Sequence, residues 1–340
     1  MTVHASSTPR GSPAGRLSSD KPVRGSLVFW LRFLGILAFF LILARLPKAQ
    51  ELPPSRIDLG WLGFCMLLTI LQLLIEALVW QSLLSAQRIR HPYPKTLLVY
   101  LASQYLGLVT PGHVGEFLAA GYISTETGLT IGYALSGIVM KKILSWLTIV
   151  GFGIWGAPLL AQLPFVRDVK QVIWMTALVP VILAVGIGLW VVFLRRLARK
   201  WERLSPWKID MTEFWFGLRQ LVSPRLIVPL ALAAGGFSLL FLQLDAVLRA
   251  LGITLPFVTM ARIMALSRMA ARLAPISIVG FGSKDAMLIA LLNQQGLGVP
   301  LAVTVALLLL LCSYLVTLVL SGLAWWVKPL VVRRPLPGRA

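Results

Sequence analysis

The chain has 340 residues, of which 58% are hydrophobic and 13% charged, and its mean hydropathy is +0.83. This balance excludes a water-soluble globular domain and predicts an all-α integral membrane protein. The net charge of +20 does not indicate nucleic-acid binding, because the Lys and Arg residues gather at the ends of apolar runs and not on one polar face. We therefore expect membrane lipids, and no nucleic acid, as partners.

The N-terminal segment 1–26 is rich in Ser, Pro and Gly, carries Lys and Arg, and has no apolar period, so we predict a disordered basic cytoplasmic tail. The apolar run 27–44 that follows is long for a signal peptide and has no clear small-x-small cleavage site, so we interpret it as a retained first span. A second basic cytoplasmic tail is predicted at 328–340, which leaves 27–327 as the transmembrane domain.

Six apolar runs are long enough to cross about 30 Å of hydrocarbon as helices. They are 27–44, 58–84, 131–153, 171–194, 227–250 and 299–327. Cytoplasmic loops of membrane proteins collect Lys and Arg, so the basic segment 195–208 and both tails are predicted to lie inside. We therefore expect a multi-pass protein of the cytoplasmic (inner) cell membrane with both termini in the cytoplasm.

Two further segments must then enter and leave the membrane on the same side, 96–122 on the cytoplasmic side and 257–295 on the outer side. Each is predicted to be a re-entrant helical hairpin, because irregular backbone at membrane depth is tolerated only where protein or water satisfies it. The tip of the first is TPGHVGEF, residues 110–117, and the tip of the second is PISIVGFGSKD, residues 275–285.

The two hairpins belong to a predicted internal repeat. Each unit carries two prolines with the same spacing, at an offset of 164 residues between the units. These are Pro92 and Pro111, and Pro256 and Pro275. The units, about 58–153 and 227–327, receive opposite orientations from the charge rule, as in inverted-repeat transporters with broken helices and a midplane site. The predicted fold is six full spans plus two re-entrant hairpins arranged as an inverted repeat.

Charged side chains inside these segments are functional candidates, because a charge near the bilayer centre costs at least about 2–3 kcal/mol. The anions are Glu76, Glu116, Asp245 and Asp285, and the cations are Lys141, Lys142, Arg262, Arg268, Arg272 and Lys284. The cations outnumber the anions, so an anionic ligand would complete the pairing. Phosphate suits this set, because Arg offers a bidentate fork, Lys a point charge, and a broken helix its unpaired N–H groups.

Several of these residues have two interpretations. Arg268 and Arg272 lie one turn apart and point toward the second tip, where they either bind phosphate or form salt bridges to Asp285 or Glu116 that lock the hairpins. Arg262 either belongs to the site or snorkels to lipid headgroups.

The first tip also leaves alternatives open. Glu116 follows the turn at Gly115, where it either caps a half-helix and pairs with Lys141 or Lys142, or carries protons. His113 is either a proton relay or a hydrogen-bonded structural residue.

Supporting positions and absent motifs complete the candidate list. Glu76 and Asp245 are expected to pair with hairpin arginines. No Ser-His-Asp order, HExxH, CxxC or acidic cluster occurs in the sequence, and GFGSK lacks the glycine spacing of a nucleotide P-loop. We therefore expect no metal site, no cofactor and no catalytic residue.

The motifs PGHVGEF, MKKILSW and PISIVGFGSKDAMLIALL resemble the lysylphosphatidylglycerol synthase transmembrane-region family, also called the flippase-like domain family. The resemblance covers roughly residues 27–327. The matching positions are Pro111, Gly112, Gly115, Glu116, Pro275, Gly280, Gly282, Lys284 and Asp285. The resemblance implies a lipid flippase or lipid transporter that binds a headgroup near these residues. Some members carry a soluble aminoacyl-transferase domain, which we do not expect here because few residues follow Val327.

The chain also departs from the family pattern at several positions. His113 stands where arginine is common, and Leu118, Ala119 and Ala120 stand where a second arginine occurs. Lys141, Lys142 and Ser145 stand where an acid–base pair and a later acid are usual, so two acids are lost, and Asp285 replaces Glu. The second tip, more than the first, is therefore expected to carry the phosphate.

Together these features predict a translocator of an anionic phospholipid or lipid-linked glycan that is not an enzyme. One alternative is an intramembrane lipid-modifying transferase with Glu116 or Asp285 as general base. Another is a non-catalytic membrane partner whose basic segment 195–208 docks anionic lipid or another subunit. The sequence leaves open which lipid is moved and whether the protein forms a homo-oligomer.

Overall fold

The computed structural model describes residues 57–109, 115–162, 211–273, 277–278 and 281–328. These residues are helical except for loops and one pair of two-residue strands, which confirms the all-α class. The predicted spans 27–44 and 171–194, the basic segment 195–208 and the N-terminal tail lie outside the described residues, as do residues 329–340 of the C-terminal tail.

The described residues form nine α-helices, three 3-10 segments, of which the first is 115–117, and the strand pair. The α-helices are α1 (Leu59–Ala86), α2 (Tyr93–Val109), α3 (Leu118–Thr127), α4 (Ile131–Gly156), α5 (Met211–Leu221), α6 (Ile227–Ala250), α7 (Phe257–Leu273), α8 (Ser283–Gln294) and α9 (Val299–Val327). The other two 3-10 segments are Ala157–Gln162 and Pro224–Leu226, and the strands are β1 (Ser277–Ile278) and β2 (Phe281–Gly282).

Four of these helices, α1, α4, α6 and α9, are long and apolar enough to cross a membrane. They coincide with the predicted spans 58–84, 131–153, 227–250 and 299–327. Polar residues mark where two of them begin. The Asp58 carboxylate accepts the N–H of Gly60 at 2.8 Å, and the Thr130 hydroxyl accepts the N–H of Tyr133 at 3.3 Å. Both are N-caps that satisfy helix donors which otherwise have no partner.

The shorter helices form two pairs at the positions predicted for the hairpins. We call α2 with α3 the first hairpin and α7 with α8 the second hairpin; the two arms of each are in contact. In the second hairpin β1 pairs with β2 in antiparallel fashion beside the start of α8. The predicted tip residues Pro111, Gly112, His113, Pro275 and Gly280 lie outside the described residues.

The two halves of the described chain share helix order and helix bounds. Helices α2 and α7 are both 17 residues long. Their first residues are 164 positions apart and so are their last residues, which is the offset between the proline pairs. The turns before them also correspond, because Arg88 (φ 60°) and Gly252 (φ 71°) occupy the left-handed region. In both turns the next N–H, of Ile89 or Ile253, donates to the carbonyl five residues earlier at 2.9 Å.

The helices pack in reciprocal pairs. The opening helices α1 and α6 make the most extensive contact, while α4 packs against α7 and its counterpart α9 packs against α2. The apolar core around α6–α8 includes Ile149 and Leu159 from the end of the first half, and the core around α1–α3 includes Ala324 and Trp325 from the end of α9. Each half is therefore completed by the last helix of the other, which brings both hairpins against the same central helices.

Candidate functional site

The first hairpin faces a group of paired charges on the central helices. Lys141 on α4 lies 2.9 Å from the carboxylate of Glu76 on α1, and the Tyr100 hydroxyl on α2 donates to the same carboxylate at 3.1 Å. The Lys141 ammonium also lies 4.2 Å from the centre of the Tyr100 ring. These contacts join three helices, and the Glu76 carboxylate neutralises the charge of Lys141.

The end of the first tip is fixed by a second ion pair. Glu116 lies 2.7 Å from Lys142, and the two side chains are 15% and 29% exposed. Gly115 precedes it at a close approach, because a Cβ atom there would lie 2.5 Å from the carbonyl carbon of Leu106. Of the two lysines considered for Glu116, the structure pairs it with Lys142.

The acid of the second hairpin is held by its own helix. Asp285 is 1% exposed, and its Oδ2 accepts the backbone N–H of Gly282 at 3.0 Å. Its Oδ1 lies 3.3 Å from the Lys284 ammonium. A carboxylate at the third helical position that accepts the N-cap N–H stabilises the start of a helix, so Asp285 fixes the first turn of α8.

The arginines of α7 differ from all of these residues. No carboxylate of the described chain lies within 4 Å of Arg262, Arg268 or Arg272. The Nε atoms of Arg262 and Arg268 are buried and have no hydrogen-bond partner among the described residues. The salt bridges that would have joined Arg268 or Arg272 to Asp285 or Glu116 are therefore not present there, because both acids are paired with lysines.

Two tryptophans of α4 flank the arginines. The Arg262 guanidinium lies 5.3 Å from the Trp155 ring centre, and the Arg272 guanidinium lies 5.8 Å from the Trp146 ring centre. A cation over an aromatic face is attracted to the ring without being neutralised. Both arginines are thus held in place while their charge stays available.

Glu76 connects the two hairpins electrostatically. Its carboxylate contacts Lys141, and its charge also reaches Glu116 and Arg268, although Asp285 is the acid that acts more strongly on Arg268. The expected direct pairing of Glu76 with a hairpin arginine is replaced by a longer-range interaction with Arg268. The charges of both hairpins therefore belong to one network.

Asp245 lies outside this network. Its carboxylate is 2.8 Å from Arg249, one turn later on α6, and the Arg249 guanidinium lies 5.2 Å from the Trp61 ring centre. The prediction that Asp245 pairs with a hairpin arginine is wrong for the described residues. A cation at i+4 on the same helix is already within reach, and sequence spacing gave no reason to prefer the distant partner.

A narrow cleft opens beside the first hairpin. Its walls include Trp80, Tyr100, Ser103, Gln104, Glu116 and Lys141, and only about 20 Å³ of it is open to a water-sized sphere. Trp80 is 2% exposed, and its indole Nε1 has no hydrogen-bond partner among the described residues. A buried donor without a partner costs about 1–3 kcal/mol, and the Trp80 N–H is such a donor among the described residues.

Sequence reasoning missed the aromatic part of the site. Trp80 and Trp146 lie one turn after Glu76 and Lys142 respectively, so both pairs share a helix face. From the sequence alone, aromatic residues in apolar spans cannot be distinguished from ordinary core or lipid-facing residues. Their i+4 spacing from an intramembrane charge was the signal that could have found them.

A second network, also missed, fixes the far end of the first hairpin. His91, before α2, contacts Glu126 near the end of α3 at 2.9 Å, and Lys328 at the end of α9 lies 2.8 Å from the other oxygen of Glu126. The remaining His91 nitrogen contacts the Thr96 hydroxyl at 2.8 Å. Both arms of the first hairpin are therefore tied to each other and to α9.

Comparison with known proteins gives one family. The chain matches the model described as the lysylphosphatidylglycerol synthase TM region over residues 23–321, which include both hairpins and every charged residue discussed above except Lys328. No curated protein and no solved structure matches the chain. The family is a membrane domain associated with flippase-like function, in agreement with a multi-pass protein built from apolar helices. The chain belongs to the lysylphosphatidylglycerol synthase transmembrane-region family.

Proposed function

We propose that this protein translocates an anionic lipid across the cytoplasmic membrane and holds the lipid phosphate at the arginines of the second hairpin. One observation carries the proposal. The carboxylates of Glu76, Glu116 and Asp285 each lie within 3.3 Å of a lysine, whereas no carboxylate of the described chain lies within 4 Å of the α7 arginines. The site therefore has surplus positive charge after its internal pairing.

Unpaired arginines at this depth are unfavourable unless a ligand compensates them. A guanidinium loses its hydration when it is buried, and a partner of opposite charge with matching geometry restores the lost interactions. Phosphate accepts two parallel N–H bonds from one guanidinium, which a single lysine cannot supply. Arg268, whose Nε is buried and unpaired, and the exposed Arg272 one turn later are the expected phosphate ligands.

The packing supports a transport mechanism of the inverted-repeat type. The equal bounds of α2 and α7, the equivalent turns before them and the reciprocal packing of α4 and α9 favour two related units with re-entrant hairpins. In this proposal six spans surround the hairpins, both termini lie in the cytoplasm, and rocking of one unit against the other exposes the phosphate to each leaflet in turn.

We further propose that the protein acts as a transporter without a cofactor and not as an enzyme. Glu116 and Asp285 are the acids that a lipid-modifying transferase would use as general base. Glu116 is held by Lys142, and Asp285 by Lys284 and the backbone of Gly282. These contacts favour structural roles for both carboxylates.

Reconstitution in liposomes tests the proposal. The double variant Arg272→Glu/Lys284→Glu is expected to lose movement of a fluorescent anionic phospholipid between leaflets while it still folds and inserts. Arg219→Glu, which reverses an exposed arginine on α5, is the matched control and is expected to keep wild-type transport. Wild-type transport by the double variant would overturn the proposal.

A further inference from the structure

The far end of the first hairpin contains a buried histidine whose hydrogen bonds fix one of its ring protons. His91 and Thr96 are both buried, and the side-chain amide of Gln81 donates to the His91 carbonyl at 2.7 Å. This bond orients the Gln81 amide so that its oxygen accepts the proton of the Thr96 hydroxyl. Because a hydroxyl has one proton to donate, the Thr96 oxygen, 2.8 Å from Nδ1 of His91, accepts from that nitrogen. Nδ1 therefore carries a proton.

The other ring nitrogen of His91 faces an ionised carboxylate. Nε2 lies 2.9 Å from Oε2 of Glu126. The second oxygen of Glu126 accepts from the Lys328 ammonium at 2.8 Å and from the Tyr122 hydroxyl at 2.9 Å, which are the contacts of a charged carboxylate. A neutral ring with its proton on Nδ1 would turn the lone pair of Nε2 toward this anion. The contact therefore requires a second ring proton, and His91 is an imidazolium in this arrangement.

The surroundings of the pair add positive charge and no second acid among the described residues. The charged or titratable groups of the neighbouring elements are Tyr122 on α3, Lys95 on α2, Lys328 after α9 and the exposed Arg90 in the turn before α2. Burial and the charge of Lys95 lower the pKa of Lys328. The group that α1 places beside Thr96 is the uncharged amide of Gln81. Glu126 is thus the acid that stabilises the ring proton in the described part of the chain.

The ring proton joins the two arms of the first hairpin. His91 lies two residues before α2, and Glu126 is the last residue but one of α3. If the proton leaves to water, Nε2 and Oε2 face each other with lone pairs alone, and the contact opens. Water reaches the pair from the side of Glu126, whose side chain is 28% exposed, whereas that of His91 is 3% exposed. Lys328 still holds Glu126 to the end of α9, so the contact that is lost is the one between α3 and the start of α2.

We propose that His91 and Glu126 form a proton-binding site that fastens the two arms of the first hairpin together while the proton is bound and releases them when it leaves. The ligand is a proton taken from water at the membrane face where α2 begins and α3 ends. Closure of the first hairpin then depends on the pH of that compartment. The inference goes beyond the proposed function and stands if that proposal fails, because it concerns contacts within the protein and no lipid.

The protonation state of His91 can be measured directly by nitrogen NMR of the protein in detergent. The chain has three histidines, so labelling of histidine alone gives few signals, and His91→Gln identifies the relevant one. Near pH 7.5 an imidazole with the ordinary pKa of about 6.5 is about one-tenth charged. We expect both ring nitrogens of His91 to carry protons at this pH, and Glu126→Gln to leave a neutral ring. A neutral His91 in the wild type would overturn the proposal.

Thermal unfolding at different pH values tests what the proton does. The folded pair keeps its proton where an imidazole of the unfolded chain has lost it, so its stabilisation is complete below about pH 6.5 and is lost as the pH rises and the folded pair releases the proton. His91→Gln places an amide there that donates to Glu126 without titrating. We expect the melting temperature of the wild type, compared with this variant, to fall by about 2–4 °C from about pH 6.5 to about pH 9.

The pH profile distinguishes a proton site from a structural histidine. If the melting temperatures of the wild type and His91→Gln differ by the same amount at both pH values, His91 is structural and the proposal fails. A difference that changes with pH as expected supports the proposal, with His4→Gln in the N-terminal segment as the matched control that keeps the wild-type profile. Glu126→Gln is expected to remove the same pH dependence and gives the decisive comparison if His91→Gln does not fold.

Discussion

The first arms of the two hairpins have equal bounds, but the acids of the first hairpin are paired with basic residues and the arginines of the second are not paired with an acid of the described residues. In the first, Glu116 pairs with Lys142 at the tip, and His91, Glu126 and Lys328 join the far ends of both arms to α9. In the second, the acid Asp285 is held by the first turn of its own helix, and the arginines of the opposite arm have no acid within 4 Å among the described residues.

This difference indicates how one architecture divides two tasks. Ion pairs with short contacts limit the motion of a hairpin and neutralise its charges, so a fully paired hairpin serves mainly as a rigid structural element. Unpaired cations that are held by packing and by aromatic rings keep their charge for a ligand. The first hairpin is therefore expected to respond to mutation mainly in stability, and the second mainly in lipid binding.

The largest expected effect comes from removing an unpaired arginine. Arg268→Met replaces a partly buried cation with an apolar side chain of similar length. We expect the melting temperature in detergent to stay the same or rise, because no ion pair is broken within the described chain. Affinity for an anionic lipid should fall about 10- to 100-fold, as for the loss of a charge-assisted hydrogen bond. A large drop in melting temperature with unchanged lipid affinity would show that Arg268 is structural.

A smaller effect, of the opposite kind, is expected at the first hairpin. Glu116→Gln leaves Lys142 partly buried without its anion, and we expect a loss of about 1–3 kcal/mol in the free energy of unfolding with little change in lipid affinity. The double variant Glu116→Gln/Lys142→Gln should recover most of this loss, because neither charge is then left alone. If the single variant abolishes lipid binding at unchanged stability, Glu116 is a ligand and the contrast between the hairpins disappears.

The smallest effect is expected at the turns before the two hairpins. Arg88 and Gly252 hold the same left-handed position, which glycine adopts without strain and other residues adopt at a cost. We expect Arg88→Gly to stabilise the protein by a few tenths of a kcal/mol and Gly252→Ala to destabilise it by about 1 kcal/mol. Thermal unfolding of both variants measures the difference. If Arg88→Gly lowers the melting temperature while Gly252→Ala also lowers it, the two turns are not equivalent.

Much of the helical frame could be predicted from the sequence, because apolar length and proline spacing report directly on helices in a membrane. The runs 58–84, 131–153, 227–250 and 299–327 became α1, α4, α6 and α9, and the offset of 164 also gives the bounds of α2 and α7. The length of an apolar run and the spacing of prolines are local properties that can be read directly from the sequence.

The pairing of the charges could be predicted only in part. Lys142 as the partner of Glu116 was one of two open choices, and Asp245 was assigned to an arginine of a hairpin, whereas it pairs with Arg249 on its own helix. Which side chains meet depends on how helices distant in sequence cross, and charge alone does not specify that crossing. The buried indole N–H of Trp80, which has no partner among the described residues, was missed for the same reason, because its burial depends on how the helices pack.

The central claim, that the α7 arginines hold a lipid phosphate, is tested most directly by mass spectrometry of lipid retained by the purified protein. We predict that the wild-type protein and the Glu116→Gln/Lys142→Gln variant retain an anionic phosphate-containing lipid, and that Arg268→Met and Arg272→Glu lose it. Retention of the same lipid by both arginine variants would contradict the account.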